Sequence, residues 1–244
     1  MSDSKRVVAI DVAALPQADL ERVVHAANAR LVADGDSFAF SDTRKAHMTL
    51  LQTYVEEDKL QEVYRITEEV IRKTLAESAH SRSLRITGTS VGPVFDGSYL
   101  PSFDVANEGL INEIHTALVN ALEPLRVLPR SDGVHKGLYS SPVDLGSEDV
   151  EAAQHCFYPV SDEAKERRAG PSSVRYVANF TVNSSFNKYK PHITLGSCVE
   201  SKSEVLKSSE LHPEQELYMS LGRFAIYQLG DFCTCRKLLF EIDL

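Results

Sequence analysis

Two short phrases in this chain carry the same chemistry. Residues 45–50 read Lys-Ala-His-Met-Thr-Leu, and residues 190–195 read Lys-Pro-His-Ile-Thr-Leu. Imidazole has an unperturbed pKa of about 6.5, so near neutrality it can take a proton from one oxygen and give one to another. A threonine hydroxyl can donate a hydrogen bond to a non-bridging phosphoryl oxygen and offset charge that develops there. His47 and His192 are therefore candidates for an acid–base pair, with Thr49 and Thr194 as the phosphate donors. Neither copy could serve both the entering and the leaving oxygen by itself. This chemistry needs no metal and no cofactor.

Side chains in a strand alternate faces with period two. Alternation places His47, Thr49, Leu51 and Thr53 on one face, with Met48, Leu50 and Gln52 on the other. In the second phrase His192, Thr194 and Gly196 share a face, opposite Ile193 and Leu195. Each phrase thus sinks apolar residues into a core and presents His and Thr opposite. Two such strands side by side about a pseudo-twofold axis would bring all four groups to one cleft.

Other residues are weaker candidates. Lys45 and Lys190 repeat two positions before each histidine. They either add positive potential to a phosphate cleft or are solvated strand ends. Tyr54, Phe103, Tyr189 and Tyr227 can stack on a base or pack in a core. Tyr54 and Tyr227 are retained as substrate-binding candidates. Arg236 and Lys237 are more simply read as a charged strand end. Cys233-Thr-Cys235 lacks the C-x-x-C spacing of a zinc or redox site, and no metal is expected there. The remaining histidines, His25, His80, His115, His135, His155 and His212, lack the following threonine and read as structural or exposed.

The elements that must position these groups can be read along the chain. "VVAIDV" (7–12) has the pattern of a buried strand. After Pro16 a helix is expected, with apolar residues at Leu20, Val23, Val24, Ala27 and Leu31. "AHMTLLQTYV" reads as a strand. A helix capped by Asp58 should follow, with a stripe through Leu60, Val63, Tyr64, Thr67, Val70, Ile71 and Leu75. "SLRITGTSVGPVF" and "SYLPSFDVA" read as strands joined by the Gly92-Pro93 and Asp96-Gly97 turns, before a third helix from Leu110 to Leu125. Residues 128–175 form a long excursion with one short helix near Ser147–Gln154. "VRYVANFTV" returns to a strand pattern, "NSSFNKYK" reads as a mobile connection, and "KPHITLGSCV" as a strand. The last residues read as closing strands with a turn near Gly230-Asp231. The order βαβαββα, an excursion, then mostly β argues for an α+β fold with antiparallel sheets.

Composition bounds the partner. The 244 residues carry 26 Lys and Arg against 35 Asp and Glu, a net charge of −9. A long duplex held through its phosphates needs a dense basic patch, so a small or short phosphorylated ligand fits better. No run of about 18 apolar residues suggests a membrane span, and the N-terminus lacks the apolar region of a signal peptide. A cytoplasmic monomer with reduced thiols is expected.

The paired His-x-Thr-hydrophobic motifs, each on a strand and well over a hundred residues apart, resemble the 2H phosphoesterase superfamily. That group includes the 2'-5' RNA ligase-like proteins and cyclic nucleotide phosphodiesterases. "AIDVAALP", the helix after the first motif and "AIYQLGDFCTCRKL" also fit its layout. The resemblance implies a single bilobal catalytic domain over 1–244: two pseudo-symmetric antiparallel sheets, helices on their outer faces, a cleft between. It implies metal-independent hydrolysis of 2',3'-cyclic or 2'-5' phosphodiesters of ribonucleotides or RNA ends, with His47 and His192 as acid and base and Thr49 and Thr194 on the phosphate. Which histidine is the base stays open. So do a 2'-5' RNA ligase running through the same site and a non-catalytic nucleotide- or RNA-binding module. The 128–175 excursion has no counterpart motif and is placed to reshape the cleft.

Overall fold

A computed structural model describes residues 6–32, 38–92, 98–136, 140–162, 165–167, 169–198 and 216–244. Val7–Ala14 (β1) is a strand buried at every position, as its apolar run requires. Ala18–Val32 (α1) buries Leu20, Val24, Ala27 and Leu31 at helical spacing. Met48–Glu56 (β2) carries the end of the first motif. Leu60–Glu77 (α2), Ser83–Val91 (β3), Pro101–Val105 (β4) and Leu110–Leu122 (α3) follow as expected. Asp58 is not the cap of α2: it lies inside a 3-10 turn, Glu57–Lys59, that leads directly into the helix. The turn expected at Asp96-Gly97, together with Pro93, lies outside the described residues.

The excursion is more regular than its sequence suggests. Arg126–Arg130 (β5) and Gly133–Lys136 (β6) form a hairpin. Ser147–Gln154 (α4) matches the expected short helix, and Val160–Asp162 (β7) pairs with Lys165–Arg167 (β8). "VRYVANFTV" is not a strand. It lies within a helix, Pro171–Asn183 (α5), with Pro171 at its first position. Val174, Val177, Ala178 and Phe180 are buried at helical spacing, and proline is pre-organised for a helix start. That periodicity overrides the strand propensity of the local Val, Tyr and Thr residues. His192–Thr194 (β9), Tyr218–Ser220 (β10), Arg223–Leu229 (β11) and Cys235–Asp243 (β12) complete the chain, with a tight turn at Asp231–Cys233.

Ten strands join in one large curled antiparallel sheet, in the order β10-β3-β4-β9-β2-β1-β11-β12, with β5 and β6 branching from β2. Helices α1, α2 and α3 cover one face, packing against Ile10, Val12, Met48, Leu50, Ile193 and Leu195. Helices α4 and α5 cover only part of the opposite face, around Val7, Ala9, Tyr54 and Val127. The rest of that second face is where the histidines emerge. No helix among the described residues is long and apolar enough to cross a membrane.

Candidate active site

The two motifs meet in the middle of the sheet. β2 and β9 are antiparallel neighbours through one register pair, Met48 with Ile193. Both of these side chains are fully buried in the main core. His47, Thr49, His192 and Thr194 flank that pair and are each only partly buried. In an antiparallel pair centred on Met48 and Ile193, the His of one strand runs alongside the Thr of the other. The arrangement has the twofold character that the repeat suggested.

Each imidazole is fixed in the same way. His47 Nδ1 lies 2.8 Å from the Lys45 carbonyl, and His192 Nδ1 lies 2.8 Å from the Lys190 carbonyl. A carbonyl only accepts, so each Nδ1 carries a proton, and Nε2 is left to take or give the reactive one. The repeated lysine position is thus used through its backbone. The Lys45 ammonium bonds Asp42 at an exposed site, and the Lys190 side chain is exposed.

Strand alternation holds from His47 to Thr49 and then fails. The β1–β2 register pairs Ala13 with Thr49 but Val12 with Leu51, so Leu50 is an extra residue in a β-bulge. Leu50 and Leu51 both enter the main core, and Leu51 and Thr53 line a narrow crevice against Val119 and Leu122 of α3. The expected grouping of Leu51 and Thr53 with His47 is therefore wrong beyond the bulge. Gln52 moves onto the site face in their place. The bulge is held from outside the sheet: His115 of α3, fully buried, donates from Nδ1 to the Leu50 carbonyl at 2.7 Å, and its Nε2 accepts the Phe186 N–H at 3.0 Å. Asn28 of α1 does the equivalent for the second motif, donating from Nδ2 to the Leu195 carbonyl at 2.8 Å. Each motif's leucine carbonyl is thus tied to a buried polar side chain on a helix.

The connection before the second motif is also fastened, not loose. The Tyr189 ring stacks on His115 at a centroid distance of 3.8 Å, and its hydroxyl donates to the Thr49 carbonyl at 2.8 Å. The segment expected to be mobile thereby locks the first motif from the side of the second.

The residue at the centre of the site that the motifs do not contain is Asp11. It lies on β1 beside Gln52 and is fully buried. Thr49 Oγ1 donates to Asp11 Oδ2 at 2.8 Å, and Gln52 Nε2 donates to the same oxygen at 2.6 Å. His47 Nε2 lies 3.7 Å away, an ion pair when the imidazole is charged. Burial, only partly offset by these two hydrogen bonds, pushes the Asp11 carboxyl up to about 7. The available signal was a single acid within an otherwise apolar strand, since aspartate is seldom fully buried without a partner.

Burial also lowers both imidazoles below their ordinary value of 6.5. For His47 the bond to the Lys45 carbonyl opposes that shift. For His192 the Lys190 carbonyl and the charge of Asp104 oppose it, while the charge of His47 adds to it. Asp104 is paired with His192 across β4 and β9, and accepts a 2.6 Å bond from Ser90. The two threonines differ. Thr49 spends its one hydroxyl proton on Asp11, whereas Thr194 makes no hydrogen bond through its hydroxyl among the described residues.

Of the aromatic candidates, Tyr54 is not a base-stacking residue. It is buried in the second core against Phe157, with its hydroxyl on the Val174 carbonyl. Phe103 is likewise in the main core. The bulge and the excursion explain Tyr54: one turns its ring toward α5, and the other covers it. Tyr227 pairs with Asp11 across β1 and β11 and packs with Ala13, Leu15, Ala225 and Cys235. It borders the site and is itself buried.

No protein-family model matches this chain, and no curated protein matches it either, so what the site does is read from its own geometry.

Proposed function

We propose that the protein is a metal-independent phosphoesterase that hydrolyses 2',3'-cyclic or 2'-5' phosphodiester bonds of nucleotides or short RNA. The observation that carries this reading is the paired motif at the β2–β9 seam. Two histidines with identical Nδ1 bonds leave two Nε2 atoms for proton transfer, with threonine hydroxyls beside them. Water attacks phosphorus while one Nε2 takes its proton. The P–O bond to the ribose breaks, and the other Nε2, protonated, donates to the leaving oxygen. Thr194 donates to a non-bridging oxygen. Thr49 does so once its proton is released from Asp11.

A two-lobed reading of the fold goes with this function. β12-β11-β1-β2 and β9-β4-β3-β10 are four strands each, and the seam between them is a single register pair. The partial cover of the site face by α4 and α5 supports the excursion as a wall that restricts what enters.

The test is turnover of 2',3'-cyclic nucleotides and 2'-5' oligonucleotides in EDTA by wild type, His47→Ala and His192→Ala. Each variant is expected to lose about 10²–10⁴-fold in rate. Equal activity in all three proteins would sink the mechanism. Joined RNA ends in place of hydrolysed ones would reassign the same site to a ligase.

A further inference from the structure

We propose that Asp11, His47 and Cys235 form a binding site for a thiophilic divalent cation, with Zn²⁺ as the fitting ion, and that the bound ion takes His47 out of acid–base chemistry. The second half of this proposal rests on the function proposed above; the first half does not.

The three residues come from β1, from the residue before β2 and from the start of β12. Their ligand atoms all lie within 4.8 Å of one another. The backbone holds them there: the Lys45 N–H bonds the Cys235 carbonyl, which sets Cys235 beside the first motif. Zinc bonds lie at about 2.0–2.3 Å, which puts tetrahedral ligand atoms roughly 3.3–3.8 Å apart. His47 Nε2 and Asp11 Oδ2 already stand at 3.7 Å. Side-chain rotations that draw the atoms together by about 1 Å or less complete the site.

The surroundings have the second shell that zinc ligands use. His47 Nδ1 is fixed on a carbonyl, which leaves Nε2 as the ligand atom. The Asp11 carboxylate is oriented by Thr49 and Gln52. Its other oxygen, Oδ1, is buried and accepts no hydrogen bond. A buried carboxylate with one oxygen unsatisfied is expensive, and a cation bound at the group offsets its charge. Charge also balances: a carboxylate, a thiolate and a neutral imidazole sum to −2, and a dication brings the buried group to zero. The thiolate selects zinc over magnesium or calcium. On binding, the Cys235 thiol proton and any proton on the Asp11 carboxyl leave to solvent as the bonds to the metal form, the His47 Nε2 lone pair is consumed, and water completes the tetrahedron. Spacing in the sequence concealed the site, because its cysteine pairs with Asp11 and His47 and not with Cys233.

The experiment is a Co²⁺ titration of the chelator-treated full chain, followed by absorbance. A near-ultraviolet thiolate-to-cobalt band with tetrahedral visible bands is expected, displaced by Zn²⁺. Cys235→Ala and His47→Ala should each lose the band and bind Zn²⁺ at least about 100-fold more weakly. Cys235→Ser, checked for native circular dichroism, replaces the alanine variant if that does not fold. No band, or a band that survives loss of Cys235, overturns the site. In parallel, stoichiometric Zn²⁺ should suppress wild-type phosphodiesterase turnover, and EDTA should restore it. A cobalt band in a protein that turns over no cyclic or 2'-5' phosphodiester refutes the proposed function and leaves the metal site standing. Turnover that ignores bound Zn²⁺ refutes the blocking of His47.

Discussion

Asp11→Asn is the most informative single change, because it separates burial of a charge from everything else in the site. The carboxyl is raised from 3.8 in the unfolded chain to about 7 in the folded protein. For an acid with a raised folded pKa, the unfolded state ionises first as pH rises. Stability is therefore full below pH 3.8, is lost progressively above it, and the loss is complete above pH 7. At 1.36 kcal/mol per pKa unit, the whole loss is about 4 kcal/mol, of which about 2–3 kcal/mol falls between pH 5 and 8. The group is fully buried, so solvent screening does not reduce this figure. Asparagine keeps the shape, can place its amide oxygen where Oδ2 accepts from both Thr49 and Gln52, and does not titrate. Urea unfolding of both proteins at pH 5 and pH 8, followed by far-ultraviolet circular dichroism, reads the difference. With a slope of a few kcal/mol per molar, the wild-type midpoint should fall relative to the variant by about 1 M over that range. Midpoints that move in parallel would refute the reasoning, since His47 and every other titrating group are common to both proteins.

Both imidazoles are held below 6.5 by burial in the free protein, so the bell-shaped profile of kcat/KM should peak on the acid side of that value. A peak above neutrality would contradict the assigned pair. Asn28→Ala and His115→Ala each leave a buried carbonyl and a part-buried N–H without a side-chain partner, and each should cost about 1–3 kcal/mol in urea unfolding. Tyr189→Phe keeps the stacked ring and deletes only the bond to the Thr49 carbonyl. It should cost about 1 kcal/mol and reduce kcat more than it changes KM.

The repeated phrase made the centre of the site legible, because His-x-Thr on a strand has one geometric meaning. The edge of the site was hidden for identifiable reasons. The bulge at Leu50 breaks strict alternation, and its support, His115, lies 65 residues away. Asp11 was visible as an odd residue in an apolar strand, but only the fold sets it against Thr49. Helix α5 was misread because β-branched and aromatic residues dominated its composition while its burial followed a helical period. Tyr54 lost its candidacy to the excursion, whose packing on the sheet no local pattern announces.

The seam between β2 and β9 has a consequence for how the chain is made. Its braces join residues 65, 140 and 167 positions apart, and β1 waits for β11, residues 223–229, to cover its other edge. At about 5–20 residues per second, the ribosome takes roughly 7–30 s to pass from Leu50 to Leu195. Throughout that interval β2 has no β9 beside it, β1 has no β11, and Asn28 has no Leu195 carbonyl to bind. An unpaired apolar strand edge is a template for association with other chains. The strand that carries Thr49, with His47 just before it, thus stands open to such association until the second motif arrives.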